Sequence, residues 1–183
     1  MTSPTVSTAL GVRALAIRFG VSVVAGGAFL VLVAGPRGLA FMSGLAARAH
    51  LHAPDLALIG EAPLAIRIHL TTVAAAVVLA TVQMVGPKGR TFHRVLGWTL
   101  AVLLVTTAIA ALFIRDRSGA LFNPFQIFVV TTLITVPWGV IAARRHDVRR
   151  HARMMSGLYF GALIVAGALT FLPGRLMWRV FFG

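Results

Sequence analysis

The chain has 183 residues, 58% hydrophobic and only 11% charged, with a mean hydropathy of +0.92. A soluble domain of this size needs a mostly polar exterior, so the composition excludes one and implies an integral membrane protein. Seventeen Lys and Arg against four acids give a net charge of +13; because these cations flank apolar runs, they point to lipid headgroups and exclude nucleic acid as the expected partner.

Taken in chain order, the apolar runs predict about five spans, each near the roughly 20 residues that cross a bilayer core of about 30 Å as helix. The first covers 13–35 and ends at "AGPRG". Arg13 and Arg18 precede its long apolar run without a small-x-small cleavage site, so it reads as a retained span rather than a leader. Segment 37–61 is too polar to span, and "GLAFMSGLAARAHLH" within it is expected to lie along the surface as a short helix. The second span covers 62–86, stopping at Gly86-Pro87, and the third covers 93–114. A fourth, 122–143, contains Pro137 as a kink site; a fifth, about 154–173, stops at "LPGR". The expected fold is an all-α membrane bundle. Residues 1–61 supply an N-terminal transmembrane helix and a surface segment, and residues 62–183 a four-helix core made of two hairpins.

Cation placement sets the expected orientation. With the N-terminus cytoplasmic, that side carries Arg13, Arg18, Lys88, Arg90, Arg94, Arg144, Arg145, Arg149, Arg150 and Arg153. The smaller set, Arg37, Arg48, Arg67, Arg115, Arg117, Arg175 and Arg179, falls on the other side together with Asp55, Glu61 and Asp116. The expectation is a bacterial inner (cytoplasmic) membrane with the N-terminus inside.

A weak internal repeat relates the two hairpins. His69 precedes His93 by 24 residues and Gln126 precedes His151 by 25, and both second helices open alike, as "HRVLG" and "HARMMSG". Superposing the hairpins puts His69 and Gln126 near one end of the bundle, and His93 and His151 near the other.

Ionisable groups at membrane depth are costly and face a partner or a cavity. His69, in "AIRIHLTT", reads either as a haem or quinone contact or as a histidine hydrogen-bonded to a neighbouring helix. His93 and His151, on facing helices, read either as axial ligands of a haem or as anchors in the headgroup layer. With a haem between them, Arg94 and Arg153, together with Arg90, would neutralise its propionates, the alternative being lipid contact. His146 reads as a solvated loop residue. His50 and His52 form an H-x-H near Asp55, suited to zinc or copper only if a third ligand joins, and the sequence supplies none; no metal site is expected. Absence of cysteine excludes disulfides, thiolate metal sites and iron–sulfur clusters. Neither H-E-x-x-H, G-x-S-x-G nor a phosphate-binding glycine loop occurs, so the sequence leans away from an enzyme. Gly20, Gly26, Gly27, Gly157, Gly161 and Gly167 are expected to permit close helix packing within the bundle or against another protein.

From residue 66 onwards the pieces "IHL", "GPKGRTFHRVLGW", "FNPFQIF", "VRRHARMM" and "GALIVAGALTFLPGRLM", in that order, resemble the predicted membrane proteins of domain of unknown function 2306. The resemblance covers about two thirds of the chain and implies a polytopic membrane protein without supplying an activity. In that family the fourth-span motif tends to carry a histidine where this chain has Gln126. A looser topological resemblance is to transmembrane cytochromes b, which hold two haems between four core helices. It implies ligand pairing between the first and third core helices and between the second and fourth. Carried over by position, one pair is His69 with Gln126 and the other His93 with His151. Glutamine ligates haem poorly, so only the second set is complete.

Two function classes follow. One is a non-catalytic accessory subunit packing against a larger membrane complex of respiratory or photosynthetic type. The other is a haem-b or quinone-linked electron-transfer protein. Short loops leave little room for a separate substrate site, which weighs toward the subunit.

Overall fold

A computed structural model describes residues 4–114 and 125–182. Residues 1–3, 115–124 and 183, and the side chains of 4–16, 18, 22, 30, 33 and 34, lie outside that description. So do Arg115, Asp116 and Arg117, and the side chains of Arg13 and Arg18, from the orientation count.

Every secondary-structure element among the described residues is a helix. Helix α1 runs Pro4–Ala46 with a break at Gly35, whose φ of 63° an L side chain rarely adopts; Pro36 follows it. The short α2 is Ala57–Gly60. Four long apolar helical stretches follow: α3 (Leu64–Val85), α4 (Thr91–Leu112), α5 (Gln126–Arg144) and a last one over Val148–Leu169. That last stretch is α6 (Val148–Leu158), a π-helical segment (Tyr159–Val165) and α7 (Ala166–Leu169). A C-terminal helix, α8 (Leu176–Phe182), closes the chain. Its backbone carbonyls at Val180, Phe181 and Phe182 accept from the amides of Asp55, His52 and His50, tying the 50–55 loop to it.

Neighbour packing runs α3 to α4, α4 to α5, α5 to α6, and from the π-segment back to α3. This ring makes α3 and α5 one diagonal of a four-helix core and α4 and α6 the other. Ala76, Ala80, Leu104, Val136, Leu158 and Leu163 fill its centre. Helix α1 packs outside the ring against the π-segment and α7. The exterior is apolar: Val78 is 64% exposed, Val102 62% and Leu32 83%. Such a surface is stable only when lipid covers it, because lipid makes no demand that apolar groups be hidden. Within the bilayer, helices are also the form that satisfies each backbone group internally.

Both hairpin turns lie at one end, called here the basic end, and each solves the problem of orphan helix carbonyls differently. After α3, Lys88 folds back so that its ammonium donates to the carbonyls of Gln83 (2.6 Å), Met84 (2.7 Å) and Gly86 (2.9 Å). Gly89, at φ 78°, turns the chain toward α4. After α5, the amide of His146 bonds to the Ala143 carbonyl and that of Asp147 to Ala142, a Schellman closure with His146 at φ 60° in the left-handed position. Asp147 then caps α6, its carboxylate accepting from the Arg150 amide at 3.0 Å.

This cap corrects one sequence expectation. The last span begins at Val148, not near 154, so "VRRHAR" is helix rather than loop and His151 sits in the first turn of α6. The glycines expected to allow close packing within the bundle or against another protein divide into two kinds. Gly26 does meet a neighbour closely, since a Cβ there would lie 2.7 Å from Val165 Cγ1, but Gly20, Gly27, Gly157, Gly161 and Gly167 have nothing within 4 Å of such an atom.

Gly26→Ala therefore lowers stability in detergent by about 1–3 kcal/mol, because β-branched Val165 cannot swing aside. Gly27→Ala, in open space, leaves it unchanged or raises it by up to about 1 kcal/mol. Denaturant unfolding followed by circular dichroism checks the pair. Asp147→Ala removes the α6 cap and costs about 1 kcal/mol in the same assay.

Candidate functional site

The basic end gathers the residues that the repeat singles out. His93 lies in the first turn of α4 and His151 in the first turn of α6, so they stand on diagonal helices. Both are half-buried. Their ring centroids are 6.5 Å apart with ring planes at 85°.

His151 is held from its far side. Its Nδ1 lies 2.9 Å from the Gly139 carbonyl on α5, and because a carbonyl only accepts, Nδ1 carries the proton there. In the neutral imidazole this leaves the Nε2 lone pair free, the arrangement usual for a metal-binding histidine. Gly139 is buried, and a Cβ there would run into Met155 Cε, so α5 approaches α6 closely at the level of the bond.

His93 is positioned through its backbone. Gln83 of α3 donates from Nε2 to the His93 carbonyl at 2.9 Å. Gly97, one turn along α4, leaves room for that amide, since a Cβ would stand 3.3 Å from Gln83 Nε2. Each histidine is thus tied to the neighbouring helix of its hairpin, His151 by Gly139 itself and His93 by Gln83 with Gly97 clearing the approach. The sequence reading passed over Gln83, Gly97, Gly139 and Met155. Gly97 and Met155, each four residues after its histidine, were the available signal, since such positions share a helix face.

Near the opposite end, His69 of α3 is turned onto α4, with Nδ1 donating to the Thr107 carbonyl at 3.0 Å. The buried Thr107 hydroxyl donates to Thr72 Oγ1 at 2.7 Å, and Thr72 donates onward to the Ile68 carbonyl at 2.7 Å. This is the hydrogen-bonded helix partner weighed for His69, and it too frees Nε2. Gln126 opens α5 on the opposite diagonal position. The packed centre of the core separates the two levels.

The other sequence candidates are exposed. Arg94 and Arg153 are exposed at the basic end. His146 is exposed and serves the turn through its backbone. His50 and His52 are exposed, His52 Nδ1 lies 2.7 Å from the Ala53 carbonyl, and the Asp55 carboxylate accepts from the Ala57 amide. Among the described residues no three His, Asp or Glu side chains gather as a metal site.

Among the described residues, the donors that the basic end brings together are therefore these two imidazoles. A zinc site needs three or four. A haem would ask the protein for only two donors, which His93 and His151 would supply. Their ring separation of 6.5 Å leaves room for one metal between two imidazoles, whose metal bonds would be about 2.0 Å each.

No curated protein and no solved structure matches this chain. A family described as "Predicted membrane protein (DUF2306)" matches residues 66–182, which span α3 to α8 with both hairpins and both histidine levels. The chain belongs to that family of polytopic membrane proteins.

Proposed function

We propose that the basic end of this membrane protein binds one b-type haem between His93 and His151 and passes single electrons. The observation that carries this reading is the 6.5 Å spacing of the two rings across the α4–α6 diagonal. Bound there, the haem would supply reversible one-electron chemistry. The chain's own residues do the rest. Gly139 fixes the His151 tautomer and makes its Nε2 more basic, which favours the oxidised metal. Gln83 holds the first turn of α4 and with it the His93 ring. Arg94 and Arg153, exposed and two or fewer residues from a ligand, offer guanidinium donors to propionates. His69 is proposed as a second contact, for a quinone head, through its free Nε2 at the opposite level. The basic end is proposed to face the cytoplasm of a bacterial cell, in keeping with its cation excess.

A second reading, an accessory subunit of a larger membrane complex of respiratory or photosynthetic type, is favoured by one feature. Gly157 and Gly161 line an apolar groove of about 360 Å³ on the bundle surface, between α1 and the last span. A neighbouring helix carrying small residues would fit against it.

Absorption spectra of the purified protein, oxidised and dithionite-reduced, separate the two. The haem reading expects a b-type α-band that His93→Ala and His151→Ala each abolish and that His69→Ala retains. Gly139→Ala weakens His151's support and shifts the midpoint potential without removing the band. A colourless protein that co-purifies with other membrane subunits would leave only the second reading.

A further inference from the structure

Two arginines at the basic end are stacked on tryptophans across the helix seams. The Arg144 guanidinium of α5 lies 5.6 Å from the Trp98 ring centre of α4, and that of Arg150 on α6 lies 5.8 Å from the Trp138 ring of α5. Both indoles are on the lipid side, Trp98 53% and Trp138 48% exposed. Trp at this depth marks the boundary between acyl chains and headgroups. Each seam therefore presents an apolar plate beneath a guanidinium at headgroup level.

Among the described residues the charge around these plates is not balanced by acids. Arg90, Arg94, Arg145, Arg149 and Arg153 are exposed and, like the two stacked arginines, form no ion pair among the described residues. Asp147 is the single acid in this part of the chain, and its carboxylate is engaged in capping α6. Lys88 is the exception among the cations, its ammonium occupied by the three helix carbonyls. So dense a cationic rim repels itself unless an anion sits in it.

We propose that the seams flanking α5 are binding sites for anionic phospholipid, with the phosphate on Arg144 or Arg150 and the acyl chain against Trp98 or Trp138. A free phosphate ion offers the same oxygens but nothing to lie on the indole, whereas a lipid supplies both parts. Stacking holds each guanidinium in place beforehand, so less side-chain freedom is lost when its planar fork engages a phosphate. The net negative headgroup, rather than a zwitterionic one, answers the unpaired charge. This inference is independent of any haem.

The test uses the full-length chain carrying Trp178→Phe, which leaves Trp98 and Trp138 as its fluorophores. Brominated phosphatidylglycerol and brominated phosphatidylcholine are titrated separately into the detergent-solubilised protein, and fluorescence quenching reports contact. Phosphatidylglycerol is expected to quench at roughly tenfold lower mole fraction, and Arg144→Gln with Arg150→Gln to erase most of that preference. Arg145→Gln with Arg149→Gln removes the same charge away from the indoles and is expected to keep most of it. Equal quenching by both lipids would overturn the proposal, as would equal losses from the two double variants. Inorganic phosphate is expected not to displace the brominated lipid; displacement at millimolar phosphate would assign the site to the free ion and overturn it as well.

Discussion

The hydrogen bond from His151 to the Gly139 carbonyl is the contact on which the basic end depends. A histidine inside the first turn of a membrane helix must place two ring nitrogens, and this bond disposes of one of them. It exists because α5 carries glycine where α6 comes closest, and because the Schellman turn and the Asp147 cap start α6 at Val148. A helix begun six residues later would leave His151 in a loop. The rings of His151 and His93 then stand 6.5 Å apart, and the diagonal arrangement of α4 and α6 follows from the ring of neighbour contacts that the two hairpins make.

Much of this was legible in the sequence, because membrane spans are written in a simple code. Long apolar runs bounded by Gly, Pro and Arg gave the four core helices to within a few residues, except at one terminus. The internal repeat placed His93 level with His151, since hairpins of similar length return similar positions to the same end. What went unread lay in shorter signals. Asp147 followed by Val-Arg-Arg is a helix start, but its capping carboxylate went unread among the arginines on either side of it. The C-terminal helix α8 is too short to register by hydropathy and is fixed by the backbone of the 50–55 loop. Gly157 and Gly161, expected to allow packing within the bundle or against another protein, line an open groove rather than a contact inside the bundle.

Lysine and arginine divide their work at the basic end in a way that composition alone hides. Lys88 is a compact ammonium with three donors, and three helix carbonyls converge on it. Arg144 and Arg150 use flat guanidinium faces against indole, which a lysine could not do as well. The same cations that bias orientation therefore also close a helix and shape the boundary with the headgroup layer. Near the other end, polar groups are paired inward, through His69, Thr107 and Thr72.

The reading proposed for the basic end is that His93 and His151, whose rings stand 6.5 Å apart, would hold one haem. Low-temperature electron paramagnetic resonance of the oxidised, purified protein reads the spin state that such a haem would have. The account predicts a low-spin ferric signal of the kind that two imidazoles give, absent from His93→Ala and His151→Ala. A high-spin ferric signal, or no haem signal in protein extracted from membranes that contain haem, would contradict it.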